Sequence, residues 1–494
     1  MTRYGWLVAC LLLGCEGSDD ERPALTREEL LDPQNCKDCH PKHYAEWSAS
    51  MHAYATKDPV FQAMNRRGQE ETGSDLGPFC VNCHAPMAVR EHAIDDFADL
   101  SDVPQHLQGV TCYFCHNAID VGPDHANGDI LLANDNVMRA ALARPAPRAP
   151  TAHGVSYSKN HDARRVQSSI LCGSCHDIHM PNGVHLERTL EEYETSIFAQ
   201  DKPSVFQSCQ DCHMNSSDHT LPAATQTGRR GEDVTARNVH EHLWAAVDVA
   251  LTPDNPYDAQ LRAAVDLCEL PGANTFSLSA FNVERRFAPG FSFRVLLETT
   301  AGHAMPSGAA QDRRMWLEVR AYDAEGRELW QDGVVADDEP EQRPERPHPC
   351  LLRDRFVGAD GKEAHMFWDA VARDPETPRL IPPPSSNIAL SHTFTCTFDG
   401  KILEPARMLM RVRMRPMSFD VLQDLIDSGH LEPEILSHMP TFTVDEREFF
   451  YSRETGGLTS NPLKSPDCAV HRCFFDPGGH ECESSEPSSA PVEP

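Results

Sequence analysis

Five times between residues 36 and 213 the chain runs Cys-Xaa-Xaa-Cys-His: Cys36, Cys39 and His40; Cys80, Cys83 and His84; Cys112, Cys115 and His116; Cys172, Cys175 and His176; and Cys209, Cys212 and His213. Nothing else in the sequence constrains its fold so tightly. Two thiols one helical turn apart can form thioethers to the two vinyl groups of a haem, and the next residue then lies under the ring with its imidazole offered to the iron. With 18 cysteines and 25 histidines in 494 residues, roughly 0.03 such motifs are expected by chance. Zinc sites also use CxxC pairs, but zinc needs four nitrogen or sulfur ligands and gives no reason for a histidine to follow every pair. A thioredoxin-like dithiol needs only one CxxC, in a βαβ setting that is missing around these. The pattern implies five covalently attached haem c groups.

Motifs this dense leave little room for an ordinary apolar core, and the stretch has no long helical or strand periodicity. The expectation is a mainly helical and irregular domain packed around porphyrins that exchange electrons with one another. Each iron has a sixth position: a second histidine there makes a low-spin electron-transfer centre, and an empty one permits substrate binding. His52 is the leading candidate, because Tyr44, Trp47, Met51 and Tyr54 recur at intervals of three or four and mark a short amphipathic helix. His125, nine residues after His116, and His161, eleven before Cys172, are similarly placed, with His153 competing with His161. The pair His240 and His242, of which His240 is the leading choice, and His303 in Gly302-His303-Ala304-Met305-Pro306-Ser307-Gly308 complete the set.

The formal charge of -31 argues against nucleic-acid or anionic-lipid binding, which need basic patches, and an acidic face can steer a basic redox partner. At the start, Arg3 precedes an apolar run from Leu7 to Leu13 that is too short to span a bilayer, as in an export signal. It ends in Leu12-Leu13-Gly14-Cys15, which resembles a bacterial lipobox, so Cys15 is the expected lipidation site. Export also accounts for so many cysteines. Cys268, Cys350, Cys396, Cys468, Cys473 and Cys482 remain outside the motifs and the signal, and pairing among them is open, with Cys396 and Cys350 one candidate pair.

From about residue 285 the pattern changes. Phe291, Phe293, Val295 and Leu297 alternate with other residues, as do His392, Phe394, Cys396 and Phe398, and Met408, Met410, Val412 and Met414. Period-two patterning between Pro and Gly turns predicts an antiparallel β-sandwich, and residues 419 to 427 read as a helix between strands. The tail from Glu481, rich in Ser, Pro and Glu, reads as disordered.

Several longer strings resemble the bacterial multihaem cytochromes related to cytochrome c-554, the carrier that serves hydroxylamine oxidoreductase: CKDCHPKHYAEWSASMHA at 36 to 53, GVTCYFCH at 109 to 116, LCGSCHDIHMPNG and LERTLEEYETSIFA from 171 to 199, and CQDCHM at 209 to 214. The resemblance implies distal ligands at His52 and His125, and an iron over His84 with no distal histidine. The fifth motif and the long C-terminal part depart from the small carrier, although appended β regions with a Gly-His-Xaa-Xaa-Pro-Thr/Ser-Gly string occur in larger relatives. An internal repeat aligns Tyr44 to Ala53 with Leu190 to Ala199. Phe198 stands where His52 does, so the second copy is expected only to pack.

Together these features predict an α+β protein: a lipoprotein signal at 1–15, a tether at 16–30, a pentahaem domain at 31–245, a helical linker at 246–284, a sandwich at 285–450 and a cysteine-containing terminus at 451–494. The expected role is electron transfer with envelope redox partners, in a periplasmic or cell-surface protein held to the membrane by its lipid alone. The alternative is an oxidoreductase acting on a small nitrogen or sulfur compound at one open iron.

Overall fold

The computed structural model describes residues 24–142, 152–202, 204–214, 216–222, 236–244, 246–252, 276–285, 291–299, 301–341, 350–375, 380–385, 394–400, 405–452 and 458–462. The expected signal with Cys15, most of the 246–284 segment with Cys268, and Cys468, Cys473, Cys482 and the tail lie outside them.

The first half is built from short helices, several of them capped by a side chain at the N-terminus. Arg27–Leu30, inside the stretch read from sequence as a tether, opens with a capping box in which Thr26 and Glu29 each satisfy the other's backbone N–H. The longest helix, Pro59–Glu71, starts at a proline and is capped by the Asp58 carboxylate, which accepts from the backbone N–H of Val60 and Phe61. It buries Val60, Ala63 and Met64, at about 2 kcal/mol for a Val or Met side chain. Gly68 on this helix brings it against the other half: a Cβ there would meet Leu76 and Trp368 side-chain atoms at 2.8 Å.

The haem-motif half has more side-chain core than its sequence implies. Leu30, Val81, Met87, Tyr113 and Phe114 form a buried cluster between the second and third motifs. Their apolar positions are scattered through very short elements, so no periodicity announces them.

The second half is a β-sandwich. One sheet has three antiparallel strands, Phe276–Arg285, Phe291–Thr299 and Phe394–Gly400, with the middle one of the sequence order at the centre. The other has six, with Arg314–Tyr322 and Arg407–Arg415 central and Glu328–Asp332, Phe442–Tyr451, Leu458–Pro462 and Leu351–Leu352 beside them. Alternation decides which side chains turn inward: Met408, Met410, Val412 and Met414 meet Phe293, Val295 and Leu297 in one core. The Phe276–Arg285 strand falls in the segment expected to be a helical linker, so the sheet begins earlier than 285. Cys350 and Cys396 are joined in a disulfide, with Cα atoms 5.5 Å apart, across the two sheets. The Phe419–Asp427 helix has the predicted bounds and lies against Pro59–Glu71, where Arg67 pairs with Asp424 at 3.1 Å.

The two halves dock through the turn at 302–308. Ala304 N–H and the Ser307 hydroxyl both donate to Glu192 Oε2, at 3.1 and 2.6 Å. Gly308 N–H donates to Thr189 Oγ1 at 3.1 Å. The accepting helix, Thr189–Thr195, carries the second copy of the internal repeat, which therefore has the packing role expected of it.

Candidate haem-binding site

Each motif needs its two thiols on one face and its histidine at the end of the turn, and at the third and fifth motifs a side-chain cap starts that turn. Thr111 accepts from Phe114 N–H at the head of Cys112–His116. Ser208 and Asp211 form a capping box at the head of Cys209–His213. The motifs also converge: thiol hydrogen bonds join Cys36 to Cys112, Cys83 to Cys175 and Cys172 to Cys209. The first motif thus adjoins the third, the second the fourth, and the fourth the fifth.

A metal held by two imidazole nitrogens at about 2.0–2.1 Å sets their ring centres about 6.3 Å apart. Four motif histidines have an imidazole at this spacing: His40 with His153 at 6.3 Å, His52 with His176 at 6.4 Å, His116 with His242 at 6.1 Å and His213 with His303 at 6.2 Å. The ring planes lie within 27° of one another in three pairs and 57° apart in the His52 and His176 pair.

The second ring nitrogens fit the same use. A backbone carbonyl engages Nδ1 of His84 (Ala55), His116 (Arg139), His153 (Gly154), His242 (His240) and His303 (Ala304), at 2.6 to 3.3 Å. This holds the proton on Nδ1 and leaves the Nε2 lone pair for a metal. Burial holds the His52 imidazole at about 3 and that of His84 at about 4, so both are neutral, the form that ligates.

His52 is positioned by the loop of the third motif. Val110 N–H donates to the His52 carbonyl at 2.8 Å, and Trp47 Nε1 donates to the Val110 carbonyl at 2.8 Å. Gly109 has a φ of +68°, and a Cβ on it would lie 2.4 Å from the His52 carbonyl oxygen, so only glycine fits. The shared Trp-Ser-Ala-Ser and Gly-Val-Thr-Cys strings are therefore one contact in space.

Other expected histidines stand elsewhere. His161 lies 5.2 Å from His116, and its Nε2 bonds to the Cys115 carbonyl at 2.8 Å, which leaves its buried Nδ1 without a hydrogen-bond partner among the described residues. His153, its competitor in the sequence, is the one opposite His40. Neither His125 nor His240 forms a ring pair with a motif histidine among the described residues; the His240 carbonyl instead orients His242. His43 comes within 6.0 Å of His40 but lies closer, at 4.7 Å, to His242. Trp244, edge-on to both His52 and His242 at 4.5 and 5.3 Å, had no signal in the sequence beyond its proximity to His242.

His84 differs from the other four. Its ring neighbour among the described residues is Phe61, stacked face to face at 3.7 Å and 2°. That contact, with the Ala55 carbonyl on Nδ1, fixes the imidazole plane without supplying a second ligand.

This arrangement of motifs, imidazole pairs and short capped helices defines a multihaem cytochrome of the c type. More particularly, residues 35–117 match the family of cytochrome c554 and c-prime. The fold is similar to that of a penta-heme cytochrome c552 from Thermochromatium tepidum, with a TM-score of 0.57 and 18% identity over 84% of this chain and 98% of that one. No match was found among curated proteins. Multihaem c-type cytochromes typically work outside the cytoplasm, and among the described residues no helix is long and apolar enough to cross a membrane.

Proposed function

We propose that this cytochrome binds five haem c groups, one at each motif, and serves electron transfer in the bacterial envelope. Haem c, when bound, supplies one-electron redox chemistry. The observation that carries the reading is the set of four imidazole pairs at 6.1–6.4 Å. On this reading His40, His84, His116, His176 and His213 are the proximal ligands, and His153, His242, His52 and His303 cap four of the irons. His153 is preferred to His43 because the Gly154 carbonyl holds its Nδ1, and His242 to His240 and His161 on the distances above. The thiol contacts bring the first motif against the third, and the second and fifth against the fourth, which suits exchange between neighbours within each group. The chain's acidity favours a basic redox partner, with Cys15 as a lipid anchor; Cys15→Ser should move the protein to the soluble fraction. Coulometric titration of the full chain tests the carrier reading: five electrons per polypeptide are expected, and fewer would contradict it.

His84 favours a second reading, an oxidoreductase acting on a small nitrogen or sulfur compound at the iron it holds. Nitrite, hydroxylamine or sulfite should then shift a high-spin ferric EPR signal while leaving the low-spin signals in place. An unchanged spectrum at saturating ligand would leave electron transfer alone.

A further inference from the structure

Immediately after the fourth motif the chain makes a two-stranded hairpin, Asp177–His179 paired antiparallel with His185–Arg188. Side chains two apart on a strand share a face, and a cross-strand partner of either joins them there. Asp177 and His179 are two apart, and His179 is paired directly with His185. The register shifts at a bulge between Ile178 and His179, and the three metal-binding side chains meet there on one side of the hairpin.

Their geometry is that of a chelate. Both imidazoles turn Nε2 to the same carboxylate oxygen, Asp177 Oδ1, at 2.7 Å from His185 and 3.4 Å from His179. The rings stack at 3.8 Å and 17°, and one ligand atom from each of the three residues lies within 4.8 Å of the others. The surroundings hold these groups in place. Asp177 Oδ2 accepts the Glu191 N–H at 3.1 Å. The Asn127 side chain clasps the backbone of His179, donating to its carbonyl and accepting from its N–H at 3.0 and 2.8 Å. His185 Nδ1 faces Glu191 Oε2 at 3.5 Å, the carboxylate-to-histidine contact that orients metal-bound imidazoles. The cluster runs from buried Asp177 to His179, which is 48% exposed, so an ion has a way in and a solvent-facing position left over.

We infer that Asp177, His179 and His185 form a binding site for a divalent cation of the zinc and copper group, separate from the haems. Two imidazoles and one carboxylate suit borderline cations, whereas magnesium and calcium prefer oxygen alone. On binding, each imidazole gives up to solvent any proton on Nε2, the nitrogen lone pairs and one carboxylate oxygen take three positions, and water takes the fourth. Glu191 is a positioning residue for His185. The ion joins the two strands that link the fourth motif to the Thr189–Thr195 helix, on which the 302–308 turn docks.

The test uses the full-length, haem-loaded protein, stripped with EDTA and equilibrated with Zn²⁺ in the presence of excess Mg²⁺. Elemental analysis should find one Zn²⁺ per chain. The double variant His179→Ala and His185→Ala should lose it at unchanged haem content and unchanged visible spectrum, and Glu191→Gln should weaken binding about tenfold to a hundredfold. Cu²⁺ in the same assay should bind more tightly still. Zn²⁺ uptake in the double variant equal to that of the parent, or none in the parent, overturns the site. If the double variant loses haem, His185→Gln with an intact spectrum decides the question by the same measure.

Discussion

His213 and His303 face each other at 6.2 Å, ring planes 19° apart, although 90 positions of sequence separate them and they belong to different halves of the protein. The sandwich is thus tied to the fifth motif by a side chain, through a turn that Glu192 and Thr189 hold in place. His303→Ala should leave thioether attachment at Cys209 and Cys212 intact while converting one low-spin haem to high spin. EPR of the ferric protein reads this directly, and an unchanged low-spin count would remove His303 from the ligand set.

Gly109→Ala should disturb a different iron from a distance. The added methyl meets the His52 carbonyl at 2.4 Å on a backbone with φ of +68°, a combination that costs about 2 kcal/mol or more. We expect a lower melting temperature and a partial loss of the low-spin signal assigned to the His52 and His176 pair. That pair is also the one with the widest interplanar angle, 57°, so its low-spin g-values should stand apart from those of the other three.

Much of the site was legible because haem attachment is a local constraint: the thiols and the proximal histidine must be contiguous, so His40, His84, His116, His176 and His213 follow from spacing alone. The distal partners come from elsewhere in the chain, and there the sequence offers only proximity. His240 and His242 are two apart, and which one turns toward His116 is set by strand end and the carbonyl that holds Nδ1. His153 and His161 are separated by a short strand and turn, and only three-dimensional packing spends His161 on the Cys115 carbonyl. Alternation marked the sandwich and the 419–427 helix because a half-buried strand and an amphipathic helix have fixed periods. The Phe276–Arg285 strand, read as part of a helical linker, sits outside the alternating segments that the sequence reading used.

Glu192 makes the docking of the two halves depend on pH. Burial raises its carboxyl from 4.5 to about 7 against the hydrogen bonds from Ser307 and Ala304. The folded protein therefore holds this proton more tightly than the unfolded chain, so stability is greatest below about 4.5 and falls as pH rises toward 7, by at most about 1.4 kcal/mol per unit from this group. Above 7 its contribution is flat. Burial also raises Glu187 and Asp312 to about 7, so Glu192→Gln should lessen the fall in melting temperature between pH 5 and 7 without abolishing it; a slope equal to that of the parent would contradict this.

Cys350 and Cys396 close a loop across the two sheets with a sequence separation of 46. Replacing both with Ala should cost about 2–4 kcal/mol in denaturant unfolding of the haem-loaded protein. Both cysteines are buried in the sandwich core, away from the motif thiols, so haem content should not change.

The central claim is that five motif histidines hold five irons, four of them capped by a second imidazole and the one on His84 not. A pyridine haemochrome count on the purified full chain, combined with spin quantitation by low-temperature EPR, measures both parts at once. The account predicts five haems per polypeptide, four low-spin and one high-spin. Five low-spin haems, or fewer than five haems in a fully matured protein, would contradict it.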